Sequence, residues 1–408
     1  MSTIRLPSGV RDFLPRAAAR RRALAGRVLD VFDAWGYARV ITPVFEVSDV
    51  LERGLGAAAR AQAIRFVEPG TGQVVALRPD ITPQIARLVA TRLTDVPGPY
   101  RLCYEGTVTR LAGELGQREI LQAGIELVDP DRALSGAALE SEVLAIAWAA
   151  LSELSLPEKH IDVGHVAPAA FVLGTAPDED ARERLAAAIS RKDRAGVRAA
   201  ARALPEGVGS LAEALVTLWG PAKQTLEKFA GQPWPEPVRA AVRGLSATLD
   251  ALTFGVHVDL GDLRGFDYYT GMKFAAYAAG APDAVLRGGR YDELLGRYGR
   301  PAHAAGFAVD LEAIAQAQRN AGIAPPRPAV GVATSDPALA RELRTAGLRA
   351  VVQAAGVTAA WLRGAGLDAA VVGDHLILAD DSRRPAADAI EAARKGDTKA
   401  LIALLSAP

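Results

Sequence analysis

The order of apolar and polar positions divides this chain into stretches of different period. Between residues 17 and 36, Leu24, Val28, Val31, Phe32 and Trp35 recur at helical spacing and Gly36 follows as a stop, which predicts one long helix. Arg20, Arg21, Arg22 and Arg27 lie around the rest of that helix and read as a solvated face rather than as an RNA contact. The run at 37–43 predicts a strand ended by Pro43, and 64–78 predicts a hairpin around Pro69-Gly70-Thr71-Gly72. A helix follows over 83–93, with Thr82 as its cap and Pro83 in its first turn. Strand-like runs at 99–110 and 118–128 bracket a polar turn, and 136–155 is an alanine- and leucine-rich helix. From 176 to 255 β-branched residues are scarce and the pattern is helical, broken at Pro205-Glu206-Gly207 and Gln232-Pro233-Trp234-Pro235, as in an inserted module. Residues 256–278 and 285–312 return to strand, turn and helix.

After Pro325-Pro326-Arg327-Pro328, short strands at 330–334, 350–353, 369–372 and 376–378 alternate with helices. The expected fold class is α+β. An antiparallel sheet flanked by helices occupies residues 1–324, with a helical insertion at about 176–255. A small α/β domain follows over 325–408.

Composition narrows the function. A length of 408 residues fits two or three domains. Basic and acidic residues balance at 47 each, which gives no support to binding a large RNA. A single cysteine, Cys103, excludes an internal disulfide framework and fits a reducing compartment. No charged start followed by an apolar run opens the chain, and no stretch approaches the roughly 20 apolar residues that span a bilayer, so a cytoplasmic, non-membrane protein is expected. The five histidines are scattered without HxxxH or CxxC spacing, so no metal site is expected.

Six segments, in order, resemble a class II aminoacyl-tRNA synthetase of the histidyl branch. They are Gly9 to Pro15 with Gly36 to Pro43, similar to the dimer-building first motif; Leu77-Arg78-Pro79-Asp80-Ile81-Thr82; Tyr104 to Glu126, similar to motif 2; Leu263 to Gly271 and Gly288-Gly289-Arg290-Tyr291-Asp292, similar to the paired histidine signatures; and Gly306 to Glu312 at the motif 3 position. Taken singly, Glu126 reads as an exposed strand residue, Tyr268 and Tyr269 as core, and Gly288-Gly289 as a turn; together they describe a convergent polar set such as a small-molecule site requires.

The resemblance implies a histidine-binding pocket. Asp80 and Thr82, two apart on an extended segment, would face one side and offer a carboxylate and a neutral acceptor to the ammonium. Gln122 and Glu126, at i and i+4 on a strand, would also share a side. By resemblance, Gln122 holds the amino-acid backbone, Glu126 and Tyr269 read the imidazole nitrogens, and Arg110, Arg264 and Tyr268 complete the pocket, Arg110 as a partner for the ligand carboxylate.

The same resemblance shows losses. Where the family's motif 2 reads Arg-x-Glu, this chain has Arg110-Leu111-Ala112; where motif 3 ends Glu-Arg, it has Glu312-Ala313, with Asp310 at a glycine position. Each lost charge-stabilising contact costs about 3 kcal/mol in the transition state, so amino-acid activation is expected to be lost and no catalytic residue is assigned, although Arg264 matches an arginine of the family's catalytic set. The C-terminal unit resembles a reduced anticodon-binding domain, with nine basic and nine acidic side chains from residue 328 onward.

This pattern is similar to the regulatory subunits of ATP phosphoribosyltransferase. Asp80-Ile81-Thr82-Pro83-Gln84 and Ala187 to Lys192 are similar to that family too. That resemblance implies a short-form catalytic subunit as partner in the first step of histidine biosynthesis and histidine as ligand. It also implies a homodimer core within a hetero-oligomer, no cofactor and no tRNA binding. A divergent histidyl-tRNA synthetase, or another paralogue acting on tRNA or protein, is the alternative.

Overall fold

The computed structural model describes residues 5–111, 116–205, 207–265, 268–324, 329–353 and 355–406. They form two compact units, Met1–Ala324 and Pro325–Pro408.

The strands of the first unit are β1 (Ala38–Arg39), β2 (Phe45–Val47), β3 (Arg65–Val67), β4 (Val74–Leu77), β5 (Tyr100–Thr109), β6 (Glu119–Asp129), β7 (Lys159–His165), β8 (Trp219–Pro221), β9 (His257–Asp259), β10 (Met272–Ala278), β11 (Leu286–Arg290) and β12 (His303–Asp310). Nine of them make one sheet in the order β1-β5-β6-β12-β11-β10-β7-β9-β8, and β2-β4-β3 make a small one. The large sheet is antiparallel except where β1 meets β5 and β7 meets β9.

Side chains alternate across a strand, so β6 presents two faces. Ala123, Ile125 and Leu127 point into the main core with Phe32, Val143, Leu144, Phe307 and Ile314, beneath the helices Pro15–Ala34, Gly136–Glu153 and Leu311–Asn320. Phe32 meets Phe307 edge-on at 5.7 Å. Each fully buried side chain of this size contributes about 1.5–3 kcal/mol. Ile120, Gln122, Gly124, Glu126 and Val128 point the other way. There Ile120 and Val128 join Ile81, Ile85, Tyr104, Leu294 and Leu295 in a smaller core under the helix Thr82–Arg92. The candidate site lies on this second face.

The insertion is five helices, Glu179–Ser190, Arg194–Ala201, Val208–Thr217, Ala222–Ala230 and Glu236–Asp250, interrupted by β8, which pairs with β9 at the sheet margin. Asp178 and Asp193 cap the first two by accepting from the amides of Ala181 and Gly196.

Two expectations are corrected. Arg20 and Arg21 are buried, not solvated. Arg21 grips Glu312 with two guanidinium nitrogens, and Arg20 donates to the carbonyl oxygens of Ala315 and Ile323, because the long helix packs that side against Leu311–Asn320. The strand expected over 37–43 is only β1, since beyond it the chain leaves the sheet and Ile41 is 82% exposed. β7 and the helix Val166–Gly174 were not anticipated at all.

The second unit is a five-stranded sheet of β13 (Gly331–Thr334), β14 (Arg349–Val352), β15 (Ala369–Val372), β16 (His375–Leu378) and β17 (Arg383–Pro385), in the order β14-β13-β15-β16-β17. Its own core gathers Val332, Leu339, Leu343, Leu376, Ile390 and Leu401. Among the described residues no helix is long and apolar enough to cross a membrane.

Candidate functional site

A cavity of about 1010 Å³ opens on the second face of the large sheet. Its floor is Gln122 of β6, Arg287 of β11 and Gly306, Ala308 and Asp310 of β12. Asp80 and Thr82, the loop bearing Tyr268 and Tyr269, the helix Ala57–Ala61 and the first helix of the insertion make its walls. Gly306 is required by close approach. It pairs with Glu126 across the β12–β6 ladder, and a Cβ there would stand 2.1 Å from Glu126 Oε2, 2.3 Å from the Ile125 carbonyl oxygen and 2.7 Å from the Tyr291 hydroxyl.

The inner end is a buried polar cluster. Thr82 Oγ1 donates to Glu126 Oε1 at 2.6 Å, and the Thr82 N–H donates to Asp80 Oδ1 at 3.1 Å. Glu126 is 1% exposed, and its second oxygen has no partner among the described residues. The same is true of the Tyr291 hydroxyl and of Gln122 Oε1, while the Tyr104 and Tyr268 hydroxyls lie beside that of Thr82. Tyr268 lies against Tyr269 and Tyr291 at ring separations of 5.3 and 5.4 Å, and Tyr104 faces Gly124 beneath Thr82. A buried polar atom left unsatisfied costs about 1–3 kcal/mol, and such a gathering beside one cavity suits a polar ligand.

Burial pushes the Glu126 carboxyl well above the ordinary carboxylate range; the Thr82 hydroxyl works against this and the Asp80 charge adds to it. Burial also raises the Tyr104, Tyr268 and Tyr269 phenols, helped by the charges of Asp80 and Glu126. These hydroxyls therefore remain neutral donors and acceptors, while Glu126 gains most from a ligand that brings N–H groups or positive charge.

The opposite end holds Asp310, Glu312, Ala313 and Arg110. Asp310 caps the helix Leu311–Asn320, accepting from the amides of Glu312 and Ala313 at 2.8 and 2.9 Å, and burial raises its carboxyl. Glu312 is held by Arg21 and, at 3.0 Å, by Arg11. Ala313 contributes only a methyl to the lining. Arg110 lines this end and donates from Nε to the Pro79 carbonyl oxygen at 3.1 Å.

Of the residues singled out in the sequence, Asp80, Thr82, Arg110, Gln122, Tyr268 and Tyr269 line the cavity, and Glu126 lies buried against Gly306, which lines it. Arg264 does not join them. Its Nε donates to Asp262 Oδ1 at 2.9 Å, its guanidinium lies 5.5 Å over the Tyr277 ring, and its carbonyl oxygen accepts from Lys273 Nζ at 2.8 Å. Asp80 and Thr82 converge for a different reason than strand alternation: Thr82 begins a helix, and Asp80 in the turn before it holds the Thr82 amide. Ala112 lies outside the described residues. Tyr104, Tyr291 and Arg287 were missed as site residues. Tyr104 and Tyr291 stood only as parts of motifs, and the register that brings Tyr104 opposite Gly124 has no local signal.

The comparisons with known proteins identify the family. The family model for histidyl-tRNA synthetase matches residues 9–314. The ATP phosphoribosyltransferase regulatory subunit of Anaeromyxobacter dehalogenans (strain 2CP-1 / ATCC BAA-258) is 44% identical over 326 residues, covering 78% of this chain and 92% of its own. That of Geobacter sulfurreducens is 39% identical over 322 residues, covering 76% and 72%. A solved ATP phosphoribosyltransferase regulatory subunit/histidyl-tRNA synthetase from Bacillus halodurans C superposes with a TM-score of 0.78 at 27% identity, over 91% of this chain and 98% of that one. Histidyl-tRNA synthetase from Nostoc sp. PCC 7120, at 20% identity and a TM-score of 0.78 over 97% and 100% of the two chains, shares the fold. With this fold and these relatives along most of its length, the chain belongs to the histidyl-tRNA synthetase-like family, in the branch of ATP phosphoribosyltransferase regulatory subunits.

Proposed function

We propose that this chain is a non-catalytic subunit that binds free histidine in the cavity, activates a short-form ATP phosphoribosyltransferase catalytic subunit and reports histidine level to it. The observation that carries this reading is the cluster of unpartnered buried polar atoms around Glu126. An ammonium is suited to Asp80 and Thr82, an imidazole N–H to Glu126 and Tyr269, and a ligand carboxylate to Arg110 with the Gln122 amide. Arg264 has no place in this pocket and is left out of the ligand set.

Histidine activation would require cations on the triphosphate. The corresponding end carries Asp310, the side chain of Ala313 and a Glu312 already neutralised by arginines, and its Arg110 is engaged with the Pro79 carbonyl oxygen. Loss of charging activity is therefore part of the reading. Feedback needs differential affinity: histidine inhibits only by binding the less active state of the complex more tightly.

Oligomerisation through the first motif is supported by exposed apolar residues of its two segments, Leu14 at 74% and Ile41 at 82%. A homodimer core within a cytoplasmic hetero-oligomer follows. The unit Pro325–Pro408 is assigned as a reduced anticodon-binding domain that does not grip tRNA, in keeping with its charge balance.

The test is an ATP phosphoribosyltransferase assay of the same organism's catalytic subunit, with and without this chain, across a histidine titration. Activity that rises on mixing and falls with histidine is expected. A competent catalytic subunit that is indifferent to this chain overturns the proposal. Histidine-dependent ATP–pyrophosphate exchange by this chain alone would establish a synthetase instead.

A further inference from the structure

Away from the cavity, the sheet register brings together three metal-ligating side chains that the sequence spacing kept apart. His160 and Asp162 stand two apart on β7, on the face opposite Ile161 and Val163, which enter the main core. β9 runs parallel to β7 with His257 paired to Asp162, so the three side chains share one side of the sheet. Asp162 Oδ1 lies 3.7 Å from His160 Nε2 and 3.7 Å from His257 Nδ1. One ligand atom from each of the three lies within 4.8 Å of the others.

The neighbouring carboxylates are already satisfied by fixed cations. Asp259 takes Lys192 Nζ at 2.5 Å, and Asp262 takes Arg264 Nε at 2.9 Å and Lys273 Nζ at 3.2 Å. Asp162 differs: among the described residues its ion-pair partners are the two imidazoles, which are also good metal ligands when neutral. Burial raises its carboxyl, as do Asp259 nearby, while His160, His257 and Arg264 draw it down. The His160 ring is steadied by stacking on Tyr277 at 5.4 Å.

We propose that His160, Asp162 and His257 form a binding site for one divalent ion of the zinc–cobalt–nickel kind, clamping β9 to β7. Two imidazoles and a carboxylate are a recurrent ligand set for such ions, with a fourth position left to solvent. Ligand atoms about 2.0–2.2 Å from a tetrahedral zinc stand about 3.3 Å apart. The pairs at 3.7 Å reach that by a slight turn of half-exposed side chains. The clamp has a structural use: β9 is where the chain re-enters the sheet after the helical insertion, and it holds β7 over only two paired residues.

The experiment is a titration of the chelator-treated full chain with Zn²⁺ against a chromogenic chelator, in histidine-free buffer because free histidine competes for zinc. Visible spectra with Co²⁺ and thermal melts with and without Zn²⁺ accompany it. One ion per chain is expected, with zinc raising Tm. His160→Ala, His257→Ala and Asp162→Asn should each weaken binding by more than the about 10–100-fold that losing a supporting hydrogen-bond partner costs. His375→Ala, in the other unit, should leave it unchanged. If His160→Ala does not fold, His257→Gln, at an exposed position of β9, serves in its place. Absence of one-to-one binding by the wild type, or undiminished binding by His257→Ala or His257→Gln, overturns the proposal. Histidine affinity measured on the same variants stays at the wild-type value, so this test and that of the cavity fail or succeed separately.

Discussion

Replacing Glu126 by glutamine should weaken histidine binding while sparing the fold, and it should change how stability depends on pH. The substitution keeps the shape of the side chain and an oxygen for the Thr82 hydroxyl, which now sits 2.6 Å from Oε1. It removes the charge that an imidazole or ammonium N–H would meet. A hydrogen bond to a charged partner contributes about 1.5–3 kcal/mol, so the Kd for histidine should rise roughly 10- to 150-fold. Stability moves differently. Burial raises the folded-state pKa of Glu126 above its unfolded value. The folded chain thus holds this proton more tightly, and the carboxyl's contribution is present below the unfolded pKa and lost as pH rises through the folded one. Glutamine has no such loss. In ligand-free melts the variant should therefore gain on the wild type between about pH 5 and pH 8. Calorimetric titration with histidine and melts at both pH values make the assay. A Kd within about twofold of wild type, or a variant that loses ground as pH rises, refutes the reasoning.

Gly306→Ala places a methyl 2.1 Å from Glu126 Oε2 and 2.3 Å from the Ile125 carbonyl oxygen, so we predict abolished histidine binding and a stability loss of about 1–3 kcal/mol in urea unfolding; an unchanged variant contradicts the close approach. Arg21→Met leaves Glu312 buried with only Arg11, at a predicted cost of about 3–5 kcal/mol. The double variant Arg21→Met/Glu312→Leu should recover most of that loss, and a single variant within about 1 kcal/mol of wild type argues against it. His165, which accepts from the Ala167 amide at the start of the helix Val166–Gly174, has its pKa lowered from 6.5 to about 4, first by burial and then by Arg290. Its stabilising contribution is present above about 6.5 and lost as pH falls toward 4. His165→Asn keeps the cap and should flatten that part of the pH–stability curve; parallel slopes for the two proteins would show that another group is responsible.

Much was determined by the sequence alone, where the physical cause is local. The helices Pro15–Ala34, Thr82–Arg92 and Gly136–Glu153 and the strands β5 and β6 carry their own period and their own stops, because an amphipathic face is written in consecutive residues. Asp80, Thr82, Gln122 and Glu126 were legible as candidates because the ordered motifs that carry them resemble those of the histidyl-tRNA synthetase family. Tertiary structure decided what depends on distant partners. β7, a short polar-alternating segment, is a central strand only because Met272–Ala278 pairs with it more than a hundred residues away. Arg21 is buried because Glu312, from the other end of the unit, neutralises it. Arg264 left the pocket for Asp262, and Tyr104 entered it opposite Gly124. His160, Asp162 and His257 meet only through the β7–β9 register. Local pattern sets which face of an element is apolar; strand register and ion pairing, which join residues with no sequence proximity, set which polar groups share a site.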